Sequence, residues 1–337
     1  MRRIVWILPL VFLVTAVSAQ NPPPTTTPQA PAAPAGGRQG GRGPAQPPRM
    51  PPSEWFSKQT PKNLVEFEMM TWPEVYRAIH EQGKTTALFH TGGTEHRGPQ
   101  NVNGGHTLMA KEMVKQIALR LGNAIAMPVL PYTPNNASGQ QTGTIGLTPE
   151  ILSTILERLA EQAITTGFKN IILMGDHGGG QPAAYRDTAK KLEDKYAALA
   201  KAENRAQNVH VYFCDEVYAK AQNDFDEYLK SINMPVSTHA GIPDTSSMMY
   251  LGKGKDWVRT DLMPYAVEVG LDARNAATAG GGRAAQPPAD PNVPRPVGSG
   301  VSGDGRKSSV DLGKKAIDIK IDYAVRQIQG FIAAQGK

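Results

Sequence analysis

Thr85-Thr86-Ala87-Leu88-Phe89-His90 runs into the polar turn Thr91-Gly92-Gly93-Thr94-Glu95-His96-Arg97-Gly98-Pro99, and Asn170-Ile171-Ile172-Leu173-Met174 runs into Gly175-Asp176-His177-Gly178-Gly179-Gly180. A short, almost unbroken apolar run is the pattern of a strand buried on both faces, which is the situation of a strand in a parallel sheet. Ala124 to Val129 and Val209 to Phe213 repeat it. Between these runs, Leu108 to Leu121, Pro149 to Thr165, Gln181 to Ala200 and Glu216 to Ile232 carry apolar residues at helical spacing, and Thr148-Pro149-Glu150 supplies a cap with proline at the first helical position. Strands alternating with helices predict an α/β protein with a mainly parallel central sheet covered by helices on both faces.

The two polar turns matter because strand ends of a parallel sheet converge on one edge. Glu95 follows the first strand, His177 follows the second, and His106 opens the helix after the first turn. One carboxylate and two imidazoles, with a fourth position left to water, form the ligand set of a hydrolytic zinc site and also suit manganese or iron. The expected cofactor is therefore a divalent metal held by Glu95, His106 and His177. The glycines Gly178, Gly179 and Gly180 are expected to keep the backbone small where a substrate approaches. A third motif, His239-Ala240-Gly241-Ile242-Pro243-Asp244-Thr245-Ser246, adds an imidazole and a carboxylate, although Asp244 also stands where a helix cap would.

The ends of the chain bear on location. Met1-Arg2-Arg3, the apolar stretch Ile4 to Val14 and the small residues Val17-Ser18-Ala19 have the layout of a secretory signal peptide over residues 1–19, too short for a membrane span. Export to the periplasm or the medium is expected. Residues 20–52, made of Pro, Ala, Gly, Gln and Thr, should form a disordered tether, leaving 53–337 as the domain. The formal charge of +6 falls to +1 once Arg2, Arg3, Arg38, Arg42 and Arg49 are set aside with the signal and the tether, which argues against nucleic acid as a partner. The lone Cys214 excludes an internal disulfide and lies in an apolar run, as an inert strand residue would. Ala276 to Arg306 has no apolar periodicity and should be a long flexible insertion before a closing helix over Val310 to Ile332.

Gly93 to Pro99, the helix after His106, the stretch Thr142-Gly143-Thr144-Ile145-Gly146-Leu147, Gly167 to Leu173 leading to His177-Gly178-Gly179, His239-Ala240-Gly241 with Thr245-Ser246, and the late loop Gly300 to Gly305 follow one another as in the creatininase family of amidohydrolases, which this chain resembles. The resemblance implies a three-layer α/β/α fold, a homo-oligomer, by family habit a hexamer, and hydrolysis of C–N bonds in small molecules with two divalent metals. It also implies departures. His106 stands where the family has a bridging aspartate, Arg97 where the second metal has a histidine, and Gly179 where creatininase has a glutamate. One ion per chain is expected, with Arg97 supplying the positive charge of the missing second ion, or else serving as a surface salt-bridge residue. His96 or Asp176 are the available substitutes for a second site. His239 and Asp244 match positions that assist proton transfer.

The expected function is an exported hydrolase of an amide, lactam or related C–N bond. Alternatives are a ring-opening hydrolase or isomerase of a sugar-like or lactone substrate, suited by Arg97, Asn101, Asn103, Asn135, Asn136 and Gln140, and a catalytically silent binding protein. The segment Met248-Met249-Tyr250-Leu251 is expected to supply an apolar contact between subunits.

Overall fold

The structure is a computed structural model that describes residues 50–135, 141–271 and 298–335. The signal peptide, nearly all of the tether, Asn136, Gln140 and most of the expected insertion lie outside the described residues. Among those described, four parallel strands, β1 (Thr86–Thr91), β2 (Ala124–Ala126), β3 (Asn170–Gly175) and β4 (His210–Phe213), stand in the order β2-β1-β3-β4. Thr86 pairs with Asn170 and Thr91 with Gly175, so β1 and β3 end level with one another. β2 is shorter than its apolar run predicts. Met127 still donates to the Leu88 carbonyl, and beyond Pro128 the pairing with β1 resumes as a single bridge between Thr91 and Leu130.

Alternate residues of the strands feed two separate cores. Leu88, Ile172 and Met174 pack against Met113 and Ile117 of α2 (Gly105–Leu121) and Ile317, Ile321 and Ile328 of α7 (Val310–Ala333). Ala87, Phe89, Ile171 and Leu173 face Ile79 of α1 (Trp72–His80), Leu152 and Leu156 of α3 (Pro149–Thr166), and Tyr185 and Leu192 of α4 (Gln181–Ala202). The result is the three-layer α/β/α arrangement predicted. Thr148 caps α3 by accepting from the Ile151 amide, and Ser309 caps α7 by accepting from Leu312. Helix α1 was not among the expected elements, although Thr71 and Glu74 form a capping box around Pro73.

Two further helices, α5 (Ala219–Ser231) and α6 (Ile242–Leu251), complete the set described. The glycine Gly313 of α7 brings that helix against the Ser246 carbonyl of α6, where a Cβ would have no room. Met248 is fully buried, and Tyr250 and Leu251 pack on the core shared by α2 and α7. Of the segment expected to join subunits, Met248 is taken into the chain's own core, while Met249, Tyr250 and Leu251 remain partly exposed. Cys214 is buried at the end of β4, and burial pushes its thiol well above the usual range, as an inert residue requires.

Candidate metal centre

The strand order reverses between β1 and β3: the chain moves from β1 outward to β2 and then returns to place β3 on the other side of β1. Ligand sites of open α/β sheets lie in the crevice beyond the strand ends at such a point. Glu95 enters from the turn after β1, His177 from the turn after β3, and His106 from the first turn of α2. The Glu95 amide donates to the Asn103 carbonyl, and the His96 amide to Thr144 Oγ1, which pins the first turn on both sides.

The three side chains meet. His106 Nε2 lies 3.0 Å from Glu95 Oε1 and His177 Nε2 lies 2.7 Å from Glu95 Oε2, with the two imidazoles edge to face at 4.7 Å. One donor atom of each residue lies within 4.8 Å of the others, and this is the one such cluster among the described residues. All three are buried. Burial opposes charge on Glu95, but the hydrogen bonds from His106 and His177 and the nearby Arg97 outweigh it and hold the carboxyl far below its usual range. Burial and Arg97 bring His106 down to about 4. A charged carboxylate beside two imidazole nitrogens, with His106 held low, is a donor set that suits a divalent cation, so the residues fit the group. The Gly179 amide donates to His177 Nδ1, which leaves the ring proton on Nε2, facing Glu95 Oε2.

Arg97 is fully buried and is no surface residue. It donates to Glu95 Oε1 at 3.1 Å and stands 2.9 Å from Asp244 Oδ2, so one guanidinium ties the two carboxylates together. Gly105 makes room for it, since a Cβ there would fall 2.8 Å from Arg97 Nε. Asp244 sits in the first turn of α6 and accepts from the Ala240 amide at 2.8 Å. Burial raises its pKa, but the charges of Arg97, His106 and His239 prevail and bring it to about 2. His239 Nδ1 is 3.5 Å from Glu95 Oε1, and its Nε2 lies 2.7 Å from the His96 carbonyl. A carbonyl only accepts, so His239 carries its proton on Nε2 and turns the basic Nδ1 toward the cluster.

Among the described residues, neither His96 nor Asp176 joins the cluster: the His96 ring meets the Thr142 carbonyl, and Asp176 is paired with the buried ammonium of Lys320 from α7. Asn101 and Asn135 are buried scaffold residues that donate to Thr245 Oγ1 and to the Thr94 carbonyl. Two of the expected glycine roles also change. At Gly178 a Cβ would strike the Tyr218 hydroxyl and at Gly179 the His177 ring, so these glycines make room for side chains of their own chain. Lys320 and Tyr218 carry no motif. Their helical or apolar sequence surroundings gave no signal of a site.

A buried carboxylate and two imidazoles at the switch point of a parallel sheet define a protein built to hold a divalent cation. The family model for creatininase, creatinine amidohydrolase, matches residues 68–328, and the chain belongs to that family. A manganese form of creatininase superposes with a TM-score of 0.57 at 18% identity, covering 79% of this chain and 98% of that one. A creatininase mutant of Zn-Zn type gives 0.58 at 18% with the same coverage. A putative creatinine amidohydrolase from Bacteroides fragilis gives 0.53 at 16%, covering 79% and 96%. These likenesses concern the fold. A 3-dehydro-scyllo-inosose hydrolase from Thermotoga maritima is 28% identical over 115 residues, which is 34% of this chain and 36% of that protein. The match thus spans about a third of that relative's length.

Proposed function

We propose that the chain is a single-metal hydrolase of a small molecule, acting on a cyclic amide or related C–N bond. The observation that carries this reading is the convergence of Glu95, His106 and His177 on one point with Arg97 beside it, where relatives use a second ion. Zinc or manganese bound there would polarise a carbonyl and acidify a water molecule. Glu95 supplies the negative charge for the ion, His106 and His177 the nitrogen donors, and Arg97 a fixed positive charge. A guanidinium does not lose its proton beside a cation, so Arg97 takes the place of a second ion without binding one. His239 Nδ1 is the proton acceptor, its tautomer set by the His96 carbonyl. Asp244 is bound to Arg97 and held near pH 2, so its role is to orient Arg97 and to hold the Ala240 amide in the turn before α6.

A second reading, ring opening of a sugar-like substrate, is supported by the partial match to an enzyme whose named substrate is an inosose. The test loads the purified protein with zinc or manganese and assays cyclic amides, including creatinine, beside cyclic polyol ketones and lactones. Release of an amine or carboxylate from the amides supports the first reading, and turnover of the ketones or lactones alone supports the second. Protein that takes up no divalent metal at micromolar concentration overturns both and leaves a binding protein. Within either reaction, His239→Ala should keep the metal and lose about 10²- to 10⁴-fold in turnover, the usual worth of a general base.

Export and assembly belong to the same proposal. The mature chain should begin near Gln20 when its N-terminus is sequenced from the periplasm or medium, and light scattering should report a homo-oligomer.

A further inference from the structure

Gly178 follows the ligand His177 and is solvent-exposed, yet its backbone lies outside the left-handed region that favours glycine. Its lack of a side chain has another cause. A Cβ on Gly178 would sit 2.3 Å from the Tyr218 hydroxyl and 3.2 Å from the ring carbon that bears it. Tyr218 stands just before α5, beyond the end of β4, and leans across the edge of the sheet to reach this position. The missing side chain at Gly178 and the tyrosine at 218 therefore occupy one space between them.

The hydroxyl so placed has no hydrogen-bond partner among the described residues, although the ring below it is only partly exposed. Glu95, His106 and His177 are buried, whereas Gly178, Tyr218 and His239 all retain exposure, and the Tyr218 hydroxyl reaches the residue next to His177. The geometry points to Tyr218 as a substrate-binding residue of this centre, whose phenolic O–H donates to an oxygen of the bound substrate and whose position depends on Gly178 being glycine. The inference rests on the metal-centre reading above and adds to it the chemistry of the substrate, an acceptor oxygen next to the bond that breaks. Burial first, and then the charges of Asp176, Asp244 and Glu95, push the phenol up to about 12, which keeps it a donor across the physiological range.

The experiment uses acetohydroxamate, a small oxygen ligand for zinc, titrated calorimetrically into the zinc-loaded full chain. Wild type, Tyr218→Phe and Gly178→Ala should hold equal zinc. Tyr218→Phe should bind acetohydroxamate about tenfold more weakly, the loss of one hydrogen bond to a charged oxygen. Gly178→Ala should weaken binding similarly by expelling the hydroxyl, and the double variant should be no weaker than Tyr218→Phe alone. Unchanged affinity in Tyr218→Phe, losses that add in the double variant, or zinc-loaded wild type that ignores millimolar acetohydroxamate would each overturn the assignment. Wild type that takes up no zinc brings down the metal-centre reading itself, a failure visible before any acetohydroxamate is added, and the assignment of Tyr218 falls with it. Gly178→Ala keeps the test decisive if Tyr218→Phe does not fold.

Discussion

Glu95 and Asp176 are both carboxylates buried just beyond the ends of neighbouring parallel strands, and they have opposite fates. Glu95, 2% exposed, meets two imidazoles and, at Oε1, the Arg97 guanidinium, while Oε2 faces His177. Asp176, 4% exposed, meets the ammonium of Lys320, itself 7% exposed. An imidazole can turn a ring-nitrogen lone pair toward a cation, so it and the carboxylate it accompanies can share an ion. An ammonium is already the cation, and it closes its carboxylate. Two acids one residue or a few beyond a strand end are thus sorted into a candidate metal ligand and a structural ion by their partners alone.

Breaking the closed pair should produce the largest effect. Lys320→Met leaves Asp176 charged and buried, which costs about 3–5 kcal/mol, whereas Lys320→Met combined with Asp176→Leu should recover much of the loss. Urea unfolding of both variants decides this, and equal stability of Lys320→Met and wild type would show that the pair is open to water. Next comes the Glu95 cluster. His177→Ala should weaken zinc binding, followed by competition with a chromophoric chelator, by more than the roughly 100-fold that loss of an outer partner costs. Its metal-free stability should change far less than that of Lys320→Met, and a fold collapse there would erase the distinction.

Stoichiometry sharpens the contrast further. Elemental analysis should give one ion per chain, and two would mean that Asp176 exchanges Lys320 for a metal. The smallest effect is the acid sensitivity of the metal-free protein. His106 is held near 4 against an ordinary 6.5, so the unfolded chain binds a proton in this interval that the folded chain refuses. Stability is then lost as pH falls from about 6.5 to about 4. The melting temperature in chelator should drop by a few degrees over that window, and His106→Asn should flatten the drop.

Much of this was legible along the chain. The apolar runs at Thr86, Asn170 and His210 fixed the strands because a buried parallel strand tolerates little else. Glu95, His106 and His177 were readable because each lies at a strand end or a helix start, where the topology leaves few places to go. Helix α1 was missed since its signal is one capping box, Thr71 to Glu74, rather than a long apolar period.

The sequence by itself determined the parallel sheet, the edge on which its polar turns gather and the residue types available there, since periodicity and strand-end position are local properties of the chain. The partner of each buried charge was decided only by tertiary structure. Lys320 lies 144 residues from Asp176, His239 lies 143 from His96, and Arg97 buries while its neighbour His96 turns outward. No local pattern encodes such pairings, because a buried charge is satisfied by whatever the packed helices bring within reach, and that is settled only when α6 and α7 close over the sheet.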